Sequence, residues 1–371
     1  MYIRPRRRTS RRRRRVLLVV LAGVLLGLYL ILRTPLLINE RRAPAVTPQS
    51  DSDVDHLLAG DALFEQGQIE EAISEYRWAT EINPQNATAF ARMARLLALH
   101  RRTSEAVNRA RRAVQLDPRQ VEHYATLAMA LDWDGQYDDA VVAALKAIDL
   151  DPEHAEAQAY LAEAEADKGN WNPALEAAEQ AVKLDDQSFV TQRNLGYVLE
   201  TRGDYQGAID QYRRAIGLRS NLSYLYLDLA RNYRVLGDQD QAIEQCQKAI
   251  VVDPEDPATY DALGLIYFEK EDYDRAAAQF RKATEVDPGY ATAYGHLGWA
   301  YYMRLNWEEA IAYFKKAIDL GARSVEYYYE IGLSYAFLDQ CDQALPWLDK
   351  ALELDPDSQP AMQGLRLCEG Q

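Results

Sequence analysis

The chain is 371 residues long, 27% charged and 48% hydrophobic, which supplies enough apolar side chain for a sizeable core and excludes a disordered chain. Its net charge of −15 joins two opposed segments: residues 1–52 carry twelve Arg against Glu40 and Asp51, and residues 53–371 carry 30 basic against 55 acidic groups, a net −25. So acidic a body repels phosphate backbones, which excludes nucleic acid as a partner of residues 53–371.

Residues 1–15 read as a basic cytoplasmic N-terminus, with Arg4, Arg6 to Arg8 and Arg11 to Arg15. An uncharged apolar run, residues 16–32, follows; at 1.5 Å per residue it rises about 25 Å, near the lower limit for a transmembrane helix. Arg15 and Arg33 can snorkel, and Leu36-Leu37-Ile38 can deepen the insertion. Nine Arg precede the run, so the positive-inside bias predicts a single-pass protein with residues 53–371 on the extracytoplasmic side. A cleaved signal peptide fits less well, because Ala43-Pro44-Ala45 lies far downstream of the apolar run; a lipoprotein would need Cys where Val24 stands. Gly23 and Gly27 form Gly-x-x-x-Gly, a pattern that lets two membrane helices approach and so allows a homodimer; glycine is also simply common in such helices. Residues 33–52, with Pro35, Pro44 and Pro48, read as a stalk.

From Asp53 a 34-residue period runs without insertion through nine units: 53–86, 87–120, 121–154, 155–188, 189–222, 223–256, 257–290, 291–324 and 325–358. The twentieth position is Ala in every unit, from Ala72 to Ala344, and so is the twenty-seventh, from Ala79 to Ala351. Position eight is small, as in Gly60, Ala94 and Gly298; Leu127, Leu195, Leu263 and Leu297 at position seven and Tyr76, Tyr212, Phe280 and Phe314 at position twenty-four are large. Two helices crossing closely need this complementarity. Gly67, Gly135, Gly169, Gly203 and Gly237 suit an αL cap on a first helix, and Pro84, Pro118, Pro152, Pro254, Pro288 and Pro356 stop a second. Residues 359–371 read as a capping helix, with Pro360 in its first turn and Met362 and Leu365 on its apolar face. Glu165 at position eleven, in a unit that also has Asp186 in place of the terminal proline, predicts that unit four is the softest.

These residues resemble the tetratricopeptide repeat, a helix–turn–helix unit that stacks into an α-solenoid stabilised by neighbour contacts. The fold class expected is therefore all-α: nine such repeats behind one transmembrane helix. The resemblance implies a concave groove that takes a protein or peptide through positions two, five, six, nine, twelve and thirteen of the first helices. Three zones occupy those positions. Glu122, Asp132, Glu156, Glu163 and Asp167 make an acidic stretch; Arg193, Asn194, Arg231 and Arg234, with Asp228, follow; Phe268, Trp299, Tyr302, Met303, Tyr329 and Phe337 form an aromatic zone. Solvated aromatics supply hot spots, although Trp299 and Tyr302 can equally be packed between repeats. The Arg residues can pair with an acidic segment or with Glu200 and Asp228 of their own chain. The carboxylate clamp of chaperone-binding relatives is not reproduced: Arg193 and Tyr197 stand where Lys and Asn would.

No catalytic motif appears. His56, His100, His123, His154 and His296 have no metal-ligand spacing, and Asp132-Trp133-Asp134-Gly135 fails as a calcium loop because no Glu closes it. Cys246, Cys341 and Cys368, an odd and sparse set, read as small buried hydrophobes rather than a disulfide framework. No cofactor is implied. The expectation is a membrane-anchored interaction scaffold; the alternatives are a non-catalytic assembly or regulatory subunit of an envelope complex and an enzyme with an unrecognised site.

Overall fold

The computed structural model describes residues 52–369, and they form nineteen α-helices with no strand among them. The first pairs are α1 (Asp53–Glu65) with α2 (Ile69–Ile82), α3 (Ala87–Leu99) with α4 (Thr103–Leu116), and α5 (Val121–Trp133) with α6 (Tyr137–Leu150). Then come α7 (Ala155–Asp167) with α8 (Trp171–Leu184), α9 (Phe189–Thr201) with α10 (Tyr205–Leu218), and α11 (Ser223–Val235) with α12 (Gln239–Val252). The last are α13 (Pro257–Glu269) with α14 (Tyr273–Val286), α15 (Ala291–Met303) with α16 (Trp307–Asp319), and α17 (Val325–Phe337) with α18 (Cys341–Leu354), closed by α19 (Gln359–Glu369). None of these helices is long and apolar enough to cross a membrane. The expected span at residues 16–32, with Gly23 and Gly27, lies outside the described residues.

Each pair is held where its two helices cross. All the alanines at positions twenty and twenty-seven are without exposed surface. At position eight, a Cβ on Gly264 would lie 2.5 Å from Phe280 Cε1, one on Gly298 2.6 Å from Phe314 Cδ1, and one on Gly332 2.5 Å from Leu348 Cδ2. Where position eight is Ala (Ala94, Ala128, Ala162), position twenty-four is Ala as well (Ala110, Ala144, Ala178), and Ala230 faces Cys246. A large side chain at position twenty-four thus occurs only where position eight is glycine. Every turn inside a pair takes the left-handed conformation; Gly67, Gly135, Gly169, Gly203 and Gly237 do so at no steric cost, whereas Arg101, Glu271, Leu305 and Asp339 adopt it with φ near 60°. At the N-termini, Asn86 accepts from Ala89 N at 3.0 Å and Asp256 from Ala258 N at 3.0 Å.

The inner wall is built from first helices, and its composition sets the winding. Repeats two to four present Ala89, Ala91, Ala94, Ala98, Ala125, Ala128, Ala130, Ala157, Ala159, Ala162 and Ala166, all buried, so that α3, α5, α7 and α9 pack directly on one another. Between α9 and α15 this contact thins, as Tyr, Trp and Leu replace Ala. The tightly wound part closes on itself. Asn221, between repeats five and six, donates to the Glu65 carbonyl at 2.9 Å, and Arg219 reaches Glu65 Oε1 at 3.0 Å while its guanidinium stacks 4.4 Å over the Phe64 ring. One rung further, His100 lies 3.1 Å from Glu70 and 3.7 Å from Asp253.

Glu165 is half-buried at the seam of repeat four, and Asn170 Nδ2 donates to it at 2.6 Å. One expectation needs correcting. Cys341 and Cys368, read as buried hydrophobes, form a disulfide with Cα atoms 5.4 Å apart, and Cys246 alone is a buried free thiol. The bridge ties α19 to the start of α18, where Ala361 and Gly364 pack on Leu348.

Two outcomes follow from this packing. Gly298→Ala should lower stability by about 1–3 kcal/mol through overpacking against Phe314; adding Phe314→Ala should lose less than the two single losses together, as chemical denaturation will read. Opening the 27-residue loop by Cys368→Ser should weaken the local stability of α19 by about 3 kcal/mol, seen as faster amide exchange over residues 359–369 with the remaining repeats unchanged.

Candidate functional site

The groove divides into a filled part and an open part. In repeats one to six, Phe64, Trp133, Tyr160, Phe189, Arg193 and Tyr224 converge from α1, α5, α7, α9 and α11 and leave a cavity of only about 20 Å³. Arg95 pairs with Glu156 across the same wall. A wider mouth of about 850 Å³ remains beside it, lined by Arg92, Glu122, His123 and His154 among others.

Arg193 organises the filled part. It is buried, pairs with Glu163 and, through Nε at 3.1 Å, with Asp228, and sits 5.6 Å, 5.1 Å and 5.9 Å from the Trp133, Tyr197 and Tyr224 ring centroids. Asn194, also buried, donates to the Ala159 carbonyl at 2.9 Å and accepts from Arg193 at 3.0 Å. Arg231 pairs with Glu200 at 2.5 Å and Asp228 at 2.9 Å, and Arg234 with Glu269. Of the four residues read from the sequence as a cationic zone, Arg193 and Asn194 are thus turned into the wall, and Arg231 and Arg234 are already paired. The cations needed for that zone to capture an acidic segment are neutralised within the chain.

Of the acidic stretch, Asp132 and Glu163 are turned inward, while Glu122 is exposed. Glu163 and Asp132 are 2% and 3% exposed, and both oxygens of Asp132 lack a hydrogen-bond partner. Burial, with the nearby Glu163 and Asp167 carboxylates, pushes the Asp132 acid up to about 9 despite Arg193. Burial likewise raises Glu163 and Asp167. Among the described residues, no group of His, Cys, Asp and Glu is placed to hold a metal ion.

The open part begins at repeat seven. Trp299 is half-buried, stacked on His296 at 5.6 Å and against Tyr327 at 5.6 Å and Phe314 at 6.3 Å, so it serves the packing of α15 on α16 and α17. Phe268 lies on Tyr273 at 5.2 Å. Tyr302 contacts Trp307 at 4.9 Å and Phe337 at 6.4 Å, and lies beside Glu330. Met303 and Phe337 remain 45% and 43% exposed and Leu305 68%, with Tyr329 half-buried alongside. Burial, with Glu326 nearby, pushes Glu330 up to about 7, and its Oε2 has no hydrogen-bond partner. Glu330, Leu305 and Trp307 escape a reading by groove positions: Glu330 stands alone there as one more acid, and the other two belong to the turn.

With nineteen helices paired at a 34-residue spacing, sequence comparison decides the family. Models of the tetratricopeptide repeat match residues 125–189, 166–223, 262–325 and 325–358, and a TPR-repeat model matches 60–99 and 230–271. The chain belongs to the tetratricopeptide repeat family. No curated protein matches the sequence. Among solved structures, a chain from the crystal structure of the APC/C hetero-tetramer Cut9-Hcn1 is 20% identical with a TM-score of 0.63, over 80% of this chain and 59% of that one. This chain therefore matches less than two thirds of that relative. A structure from the functional characterization of Pseudomonas aeruginosa pilF is 17% identical with a TM-score of 0.50, over 57% of this chain and 96% of that one. At these identities the tetratricopeptide solenoid is what is shared.

Asp132 gives the wall a pH signature. Its folded pKa stands above the unfolded value of about 3.9, so its stabilising contribution is complete below pH ~4 and is lost as pH rises towards 9. Asp132→Asn should therefore melt close to the unmodified protein near pH 4 and several degrees above it at pH 9, in scanning calorimetry.

Proposed function

We propose that this tetratricopeptide protein is a non-catalytic interaction scaffold, anchored in a membrane by residues 16–32, that holds a protein or peptide segment in the open part of its groove. The observation that carries the reading is the contrast between the two halves. Repeats one to six close the centre of their groove with Phe64, Tyr160, Arg193 and Tyr224 and leave beside it a mouth lined by charged and His side chains, whereas repeats seven to nine leave Met303, Leu305 and Phe337 uncovered on one wall. Exposed aromatic and thioether groups clustered beside buried aromatics are what a partner's apolar side chains cover with most gain.

Residues 1–15 then lie in the cytoplasm and the repeats on the extracytoplasmic side. The Cys341–Cys368 disulfide supports that side, since such bonds persist in oxidising compartments. Among the described residues, buried Asp132, Glu163 and Arg193 act on each other rather than face an open site.

Crosslinking and mass spectrometry on the intact protein in its native membrane tests the reading. Partner crosslinks should concentrate on residues 268–337 of the inner wall, and Met303→Ser with Phe337→Ser should remove them without changing the circular dichroism spectrum. Crosslinks confined to the second helices would end the groove reading.

A further inference from the structure

Two adjacent first helices in the open part, α15 and α17, contain no Lys or Arg. The one cation-capable group on them, His296, is already 2.7 Å from Asp261. What the wall offers beside its aromatic surface is therefore carboxylate, from Glu326 and Glu330. Ser324 Oγ donates to Glu326. Tyr302 lies beside Glu330, whose Oε2, removed from solvent, has no donor. A carboxylate oxygen so desolvated loses water's hydrogen bonds and gains none, a deficit that a cationic donor offsets better than a neutral one. The surrounding body, residues 53–371, bears a net −25 and draws cationic segments towards it.

The geometry also sets a spacing. Glu330 and Phe337 are seven residues apart on α17, hence about 10 Å along its axis, and Tyr302 touches both. A segment in the extended polyproline II conformation advances about 9 Å in three residues, one full turn, so that side chains three apart share a face.

Resting on the groove reading above, we propose that the open part of the groove takes an extended segment of a partner protein. That segment sets a Lys or Arg against Glu330 and, three residues away, an aromatic or large aliphatic side chain onto Met303, Trp307 and Phe337. The apolar group extends the Tyr302–Trp307–Phe337 cluster, and the cation pairs with the Glu330 carboxylate from its half-exposed side. Because burial holds Glu330 up at about 7, capture strengthens as pH rises through that value and the carboxylate ionises.

The test uses the full chain in detergent, immobilised, against a phage-displayed library of random 12-residue peptides, with selected sequences resynthesised and measured by fluorescence anisotropy. The expected result is a selected pattern pairing Lys or Arg with an aromatic or large aliphatic residue three positions away. Glu330→Gln, close to isosteric, should weaken such a peptide about tenfold at pH 8 and hardly at all at pH 5.5. Replacing the peptide's Lys or Arg by norleucine should abolish that difference. Phe337→Ala should weaken every selected peptide, with circular dichroism and melting confirming that each variant folds. Selected peptides that lack a cation, or that bind Glu330→Gln as tightly at pH 8, overturn this inference while leaving the groove reading standing. No selection above an empty surface overturns both. Self-association of the full chain that Phe337→Ala abolishes assigns the wall to a second copy. A synthetic peptide of residues 33–45 that displaces every selected peptide assigns it to the chain's own stalk. Either of these last two results overturns the proposal.

Discussion

Complementary side chains at the crossing of each helix pair are the constraint from which the rest of the solenoid descends. Position eight and position twenty-four meet there, and the chain answers in two ways. Gly264 with Phe280, Gly298 with Phe314 and Gly332 with Leu348 combine none with much; Ala94 with Ala110, Ala128 with Ala144 and Ala162 with Ala178 combine little with little. The alanines at positions twenty and twenty-seven leave no room for a third solution, because a larger residue at either would part the helices before any side chain could repack. With interhelix distance fixed, the curvature is left to the inner wall. Small residues there in repeats two to four draw the first helices together, and aromatic ones in repeats seven to nine hold them apart.

That difference in winding decides where a ligand can sit. When a tetratricopeptide superhelix closes after about five repeats, side chains from opposite walls meet in the middle, and Arg193 with its three aromatic neighbours does there what a bound peptide would do elsewhere. Buried charge is tolerable in such a place only when it is paired on more than one side, as Arg193 is by Glu163 and Asp228. Asp132 has no such pairing, and burial beside the Glu163 and Asp167 carboxylates pushes its acid upward instead, favouring the neutral form.

The helix-pair array was legible because it is local: alanine at fixed positions, glycine at the αL turn and proline at the unit's end all act within 34 residues. What escaped was whatever depends on the superhelix. Arg219 and Asn221 gain their meaning from Phe64 and Glu65, more than 150 residues away, and no period links them. Arg193 falls at a groove position in its own repeat, yet the winding turns that position into the interior. Glu163 and Asp132 went the same way. The Cys341–Cys368 bond was hidden by an odd cysteine count and by a spacing that falls on no motif; only the packing of α19 against Leu348 brings the two thiols together. Arg101, Glu271, Leu305 and Asp339 take the left-handed turn without a glycine to announce it.

In a linear array, each repeat is stabilised by its own packing and by its neighbours alone. Turn-to-turn contact breaks that rule here for one end only. Repeats one to six gain support from Arg219, Asn221 and His100 across the superhelix, so their inner wall is held from both sides. Arg101 still reaches repeat seven beside Tyr290, but among the described residues repeats eight and nine show no such second contact, and an unprotected last pair in a solenoid frays. The disulfide stands at that end, fastening α19 over Leu348 and Ala351, where a covalent tie contributes most because no longer-range packing duplicates it. The open wall can thus remain uncovered and still ordered: closure steadies it from repeat six, and the bridged cap steadies it from behind.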